Sequence, residues 1–362
     1  MLYWLLVPLR DSIFFFNVFR YITVRTGLAG ITALLLSFVL GPWLIRTLRN
    51  KNIGQEIRQE GPQSHQGKKG TPSMGGLLII ASTLIPTLLW GNLGNTYVWI
   101  AMLTMLSFGL IGFWDDYVKL TRKRSLGLRT RPKLALQTVL ALGVGLILIA
   151  LGQEGVFSLR LSFPFLKEWI PYLGWLYLPW IVFILVGSSN AVNLADGLDG
   201  LAIGLTLVSA AALTALTYIA GHAVFSQYLA IARVPRAAEL TVFAGALTGA
   251  CLGFLWFNCH PAQIFMGDVG ALSLGATLAV IAILIKQEFL LFSVAGVFIL
   301  EALSVLAQVG YYKLSGGKRI FRMAPLHHHF ELAGWREEKV VIRFWILAVI
   351  FALFSLATLK LR

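Results

Sequence analysis

Acidic residues are scarce in this chain, 16 Asp and Glu in 362 residues, and charge of both signs together makes up only 13%. Soluble domains carry about 25%. No hydrophilic stretch is long enough to fold as a soluble domain, which excludes an enzyme tethered by one span with its chemistry on a separate globular unit. Two cysteines, Cys251 and Cys259, supply neither a disulfide framework nor a zinc site, and they read as packing residues. The start, MLYWLLVPLRDSIFFFNVFRY, lacks the basic first segment and small-residue cleavage site of a signal peptide. Zinc-finger spacing and interleaved RNA-binding aromatics are missing as well. The net charge of +14 therefore points away from nucleic acid and toward anionic membrane lipids and an anionic substrate.

What is present in quantity is apolar sequence, 57% of the chain. Windows of the length of about 20 residues that a helix needs to cross the hydrocarbon core recur throughout. They predict an all-α integral membrane protein with about ten transmembrane helices, over 22–45, 75–91, 97–114, 134–151, 175–192, 200–220, 240–257, 269–285, 289–311 and 341–359. Residues 1–362 form a single polytopic domain on this reading, with an interfacial amphipathic helix at 1–20. Loops 46–74, 115–133, 193–199, 258–268 and 312–340 then share one face, and three of them hold nearly two-thirds of all Lys and Arg. By the positive-inside rule that face is cytoplasmic and both termini lie outside.

The polar chemistry gathers on that face. In GLIGFWDDYVKL, two aspartates, Asp115 and Asp116, close an apolar run, with Lys119 three and four residues on. Successive helical side chains diverge by about 100°, so a continuing helix predicts separate jobs for the two acids, one facing a pocket and one held by a lysine or an amide. A solvated helix end with a weak ion pair is the plainer alternative. In SSNAVNLADGLDGLA, Asn193, Asp196 and Asp199 alternate with glycines. They suit either a capped turn or oxygen ligands and backbone amides for a nucleotide–Mg²⁺ complex. Asp268 opens the apolar GDVGALSLG segment, where it complements a helix N-terminus and is the best single candidate for Mg²⁺ if phosphate is nearby. Phe265, just before it, could stack on a base or simply pack. The small residues that follow place that helix in the bundle interior.

His327, His328 and His329 stand in a row. Adjacent imidazoles cannot all ligate one metal from regular structure, but they can donate to phosphate. Lys68, Lys69 and Ser73 in HQGKKGTPSMGG do not make the nucleotide phosphate-loop pattern; Lys68 could still reach a diphosphate. Glu301 sits inside an apolar span with Gln308 two turns later, either at a functional site or in a buried hydrogen bond between helices.

Taken in order, KKGTPSMGG, DDYVK, NAVNLADGLDGLA, MGDVGALSLG and FRMAPLHHHFELAGW resemble the phospho-N-acetylmuramoyl-pentapeptide transferases, within the polyprenyl-phosphate N-acetylhexosamine-1-phosphate transferase superfamily. The likeness covers essentially the whole chain, and the PLHHHFE loop separates this family from its siblings. It implies a bacterial cytoplasmic-membrane enzyme, active at the cytoplasmic face. The reaction is Mg²⁺-dependent transfer of phospho-MurNAc-pentapeptide from UDP-MurNAc-pentapeptide to undecaprenyl phosphate, with release of UMP. It further implies Asp268 as the metal ligand and Asp115 and Asp116 as the acids serving the lipid phosphate. Asn193, Asp196 and Asp199 would line the nucleotide pocket, with Asn258 and Phe265 on uridine. Lys68, Ser73, Lys119, Lys133, Gln308 and the three histidines would surround the phosphates. Ser73 stands where the family usually has threonine, and keeps the hydroxyl. A homodimer is compatible with all of this. A sibling enzyme using UDP-GlcNAc would share the carboxylates. A transporter would place them near the bilayer midplane instead.

Overall fold

The computed structural model describes residues 1–11, 13–51, 70–122, 127–164, 166 and 169–361. Among these residues the chain is helical almost throughout, with an isolated β-bridge between Arg160 and Tyr172. In chain order the helices are α1 (Leu2–Leu6), α2 (Ile22–Asn50), α3 (Gly76–Trp90), α4 (Thr96–Arg122), α5 (Thr130–Gln153), α6 (Tyr177–Ala195) and α7 (Leu201–Gly221). They continue as α8 (Ala223–Tyr228), α9 (Ala237–Asn258), α10 (Gly267–Leu284), α11 (Glu288–Val294), α12 (Gly296–Leu314), α13 (Leu326–Leu332) and α14 (Glu337–Thr358).

Nine helices among the described residues are long and apolar enough to cross a membrane: α2, α4, α5, α6 with the short turn before it, α7, α9, α10, α12 and α14. The tenth expected span is α3. Its 15 residues rise only about 22 Å, short of a hydrocarbon core of about 30 Å. It packs on α2, α9 and α10, so protein rather than lipid covers much of its length. This is a multi-pass membrane protein.

Three boundaries differ from the apolar pattern. The run at 289–311 is broken: Ala295 leaves helical geometry between α11 and α12. There α14 comes so close that a Cβ on Gly296 would lie 2.9 Å from the Phe351 ring. Hydropathy ends at Trp114, yet α4 runs on to Arg122; Asp115 and Asp116 are buried, while Tyr117, Thr121 and Arg122 beyond them are exposed. The expected interfacial helix is α1 followed by 3₁₀ turns at Pro8–Asp11 and Phe14–Arg20, divided at a proline that cannot donate within a helix. Trp4, Phe14 and Phe15 remain exposed along it.

Helix α10 is the axis of the bundle, buried from Val269 to Leu284, as its small residues predict. Chain alternation brings the C-terminal ends of α4, α6, α9 and α12 together with the N-terminal ends of α5, α7, α10 and α14. All the candidate chemistry lies at that end.

Candidate active site

Glycines set the separation between the acids. A Cβ on Gly112 of α4 would overlap the Asp268 carbonyl and lie 2.6 Å from Val269 Cα. A Cβ on Gly76 of α3 would overlap the Gly270 amide. Both helices therefore touch the first turn of α10 backbone to backbone. Asp115 and Asp116 follow Gly112 by about one turn, so the same contact carries them to Asp268. Gly267 holds φ +71, where a side chain would press on Asp116 Oδ2 and Ser73 Oγ. Glycine tolerates that left-handed geometry.

Five charged groups meet there. Lys119 Nζ lies 2.8 Å from Asp115 Oδ2, 3.0 Å from Asp116 Oδ1 and 3.1 Å from Asp268 Oδ2. Lys133, from α5, donates to Asp268 Oδ2 at 2.6 Å and lies 3.9 Å from Asp115 Oδ1. Asn193 donates to the other Asp268 oxygen at 2.8 Å. Backbone amides hold the remaining acids: Leu128 N–H donates to Asp115 Oδ1 at 3.0 Å and Val269 N–H to Asp116 Oδ2 at 3.2 Å. Asp115 and Asp116 are 2% and 4% exposed. The two acids thus face one cluster, each pinned by its own amide, rather than dividing between pocket and support. Neighbouring helical positions can do this because α10 lies across both.

The three carboxylates could hold a metal cation at the position that the Lys119 ammonium takes among them. Ligand oxygens of Asp115, Asp116 and Asp268 lie within 4.8 Å of one another. Around a six-coordinate Mg²⁺, oxygens stand about 3 Å apart when adjacent and about 4 Å when opposite. Asp115 Oδ2 is buried without a well-directed hydrogen bond, despite the nearby ammonium. An all-oxygen set of this kind fits a hard divalent cation. Three carboxyl groups also outnumber the two ammonium groups that face them.

Asp196, in the turn between α6 and α7, feels the same cluster. Burial and then the charges of Asp268 and Asp116 push its carboxyl up to about 8. Asp199 turns the other way. Its Oδ2 accepts from Ala262 N–H and sits on His260 Nδ1, both at 3.1 Å. Glu337 Oε2 is 3.7 Å from the same imidazole nitrogen, and these three residues form a second group of ligand-capable atoms within 4.8 Å. Neither His260 nor Glu337 was marked by the sequence. The first is a lone histidine, and the second reads as an ordinary acid in a helix's first turn.

The other sequence-stated positions are dispersed around these two groups. Asn258 is buried and binds backbone only, accepting from Gly200 N–H and donating to the Ile264 carbonyl. Phe265 is half-buried, its backbone paired with Pro72 and Gly75. Ser73 is buried beside Gly267. Gln308 uses its amide on the backbone of Ile320 and Phe321. The histidines separate by direction. His327 is fully buried with Nδ1 3.2 Å from Glu301 Oε2, and its Nε2 side lies against Gly197. His328 Nδ1 lies 2.8 Å from Glu331, and His329 Nδ1 accepts from Arg322 N–H. Glu301 thereby finds its buried partner on α13. Lys68 lies outside the described residues.

The family described as Glycosyl transferase family 4 matches residues 98–286, which span both acidic helices, and a phospho-N-acetylmuramoyl-pentapeptide-transferase signature matches residues 68–80. Proteins named phospho-N-acetylmuramoyl-pentapeptide-transferase from Koribacter versatilis, Solibacter usitatus and Thermodesulfovibrio yellowstonii are 52%, 54% and 54% identical to this chain, each over 100% of both sequences. With likeness of that extent over the full length of both sequences, the chain belongs to the phospho-N-acetylmuramoyl-pentapeptide transferase family.

Proposed function

We propose that the protein transfers phospho-MurNAc-pentapeptide from UDP-MurNAc-pentapeptide to undecaprenyl phosphate, releasing UMP. The reaction takes place at the cytoplasmic face of the bacterial cytoplasmic membrane, with both termini outside. The observation that carries this reading is the meeting of Asp115, Asp116 and Asp268 with Lys119 and Lys133 at one end of the bundle. That position, at helix ends rather than mid-span, is where a lipid phosphate and a water-soluble nucleotide can reach each other. It also favours an enzyme over a midplane transporter.

The chemical obstacle is the approach of one anion to another. A phosphate monoester has its second pKa at about 6, so the lipid phosphate is mostly a dianion at neutral pH and needs little help from a base. Its oxygen forms the new bond to the sugar-bearing phosphorus while the bond from that phosphorus to the UMP oxygen breaks. Lys133 and Lys119 would screen the approaching charges, and Asn193 would hold Asp268 in register. The amide bonds on Asp115 and Asp116 keep both carboxylates as fixed organisers. Asp268 with Asp115 and Asp116 would hold Mg²⁺, which when bound neutralises diphosphate charge and eases departure of UMP. Lys119, whose side chain is 30% exposed, is the ammonium with room to yield Asp268 Oδ2. Asp196, Asp199 and the loop before α10 would receive the nucleotide, and His327 would face the same turn.

Purified protein supplied with both substrates should release UMP, lose this on chelation of Mg²⁺ and recover it on re-addition. UDP-GlcNAc should not substitute. Asp268→Asn should cost at least about a hundredfold in rate, the scale of losing one preorganised electrostatic contact. Undiminished, Mg²⁺-dependent UMP release by that variant would sink the assignment.

A further inference from the structure

Helix α14 carries none of the residues assigned above to the reacting groups, yet it holds the turn between α6 and α7 at two points. Glu337 Oε1 accepts from Asp199 N–H at 2.9 Å, and Trp345 Nε1–H donates to the Gly200 carbonyl at 3.2 Å. The Gly200 carbonyl also accepts from Gly204 N–H of α7 at 3.0 Å, so the indole is a second donor to it. Gly200 is in the left-handed region at φ +76 and begins α7 without a side-chain cap. Its own N–H goes to Asn258 Oδ1 at 3.1 Å. Polar backbone groups buried at a helix start need such partners, and here they come from α9 and α14. A Cβ on Gly204 would overlap the Trp345 indole, so α7 and α14 are in direct contact just beyond the turn.

We infer that Glu337 is a positioning residue for the nucleotide end of the donor, acting through the Asp199 amide to fix the turn that carries Asp196 and Asp199. The inference rests on the transferase reading above. A carboxylate in the first turn of a helix also complements the helix dipole, but that role needs only charge near the terminus. Glu337 instead aims one oxygen at an amide 138 positions away in the chain. It thereby fixes the backbone at the residue whose carboxylate meets Ala262 and His260.

The test compares wild type, Glu337→Ala, Glu337→Gln and Trp345→Phe as purified full-length proteins. UMP binding is measured by calorimetry with Mg²⁺, alongside steady-state kinetics and thermal melting. Wild-type UMP binding and release test the transferase reading on their own; if wild type does neither, that reading and this inference fall together. Given a working wild type, Glu337→Ala should weaken UMP binding and raise the donor KM about tenfold, equivalent to about 1.4 kcal/mol. Its kcat and its KM for the lipid phosphate should stay within about twofold of wild type, since uniform binding is what is removed. Glu337→Gln keeps an acceptor oxygen for the amide and should restore the donor KM. Trp345→Phe removes the indole donor together with part of the ring's contact with α7 and should shift KM the same way by less; it also carries the test if Glu337→Ala does not fold. Unchanged UMP affinity in Glu337→Ala overturns the inference. So does an equal loss of melting temperature in the Ala and Gln variants with donor KM untouched, the result a dipole role predicts.

Discussion

Gly112→Ala tests the packing argument without touching a charged group. The added methyl would sit 2.6 Å from Val269 Cα and overlap the Asp268 carbonyl. Carbon atoms rest about 3.5 to 4.0 Å apart, so α4 and α10 must separate by about 1 Å. Neither obstacle is a side-chain tip that could swing away; both are backbone of the central helix. Overpacking of this kind costs about 1 to 3 kcal/mol of stability. The larger effect falls on activity, because the displacement is applied one turn from Asp115 and Asp116 and directly at Asp268. Misplacing reacting groups by about 1 Å can cost about a hundredfold in rate. The assay is UMP release by purified protein, with melting temperature measured on the same sample. Gly143→Ala on α5 is the control, having nothing within 4 Å of its new methyl. It should be neutral or gain up to about 1 kcal/mol from better helix propensity. If Gly112→Ala melts and turns over like wild type, the glycine contact does not set the site geometry.

Two further outcomes follow from the charges. Lys133→Met leaves three carboxylates facing one ammonium; without Mg²⁺ it should destabilise the fold by about 3 to 5 kcal/mol, as breaking a buried pair does. Added Mg²⁺ should then raise its melting temperature more than that of wild type. Asp196 holds its proton up to about pH 8 in the folded protein, against an ordinary value of 3.8. Its contribution to stability is therefore complete below about pH 4 and is lost as pH rises toward and through 8. Mg²⁺-free melting curves should show that decline, and Asp196→Asn should remove part of the slope.

How much of the site could be seen beforehand depended on what each residue's role requires. The carboxylates stood out because charge in an apolar chain is expensive wherever it sits, so Asp115, Asp116, Asp196 and Asp268 needed an explanation from sequence alone. Glu301 stood out for the same reason, and its buried imidazole partner answers it. Glu337 and His260 did not, because an acid in a helix's first turn and a histidine in a loop are ordinary until their partners are known. The run HHH suggested three similar roles. Short helix α13 turns the three rings to Glu301, Glu331 and the Arg322 amide, since successive helical side chains diverge.

The sequence by itself determined that the chain crosses a membrane about ten times, which end of the bundle holds the polar chemistry, and the family to which the ordered motifs belong. These follow from hydropathy, parity and local pattern, quantities that need no knowledge of who packs against whom. Only the tertiary structure decided that α4 continues through its aspartates, that the span before α13 breaks at Ala295, and that α14 supports the α6–α7 turn. Each depends on contacts between segments distant in the chain, where a missing Cβ, a buried amide or a facing carboxylate sets the local conformation more strongly than the residues beside it.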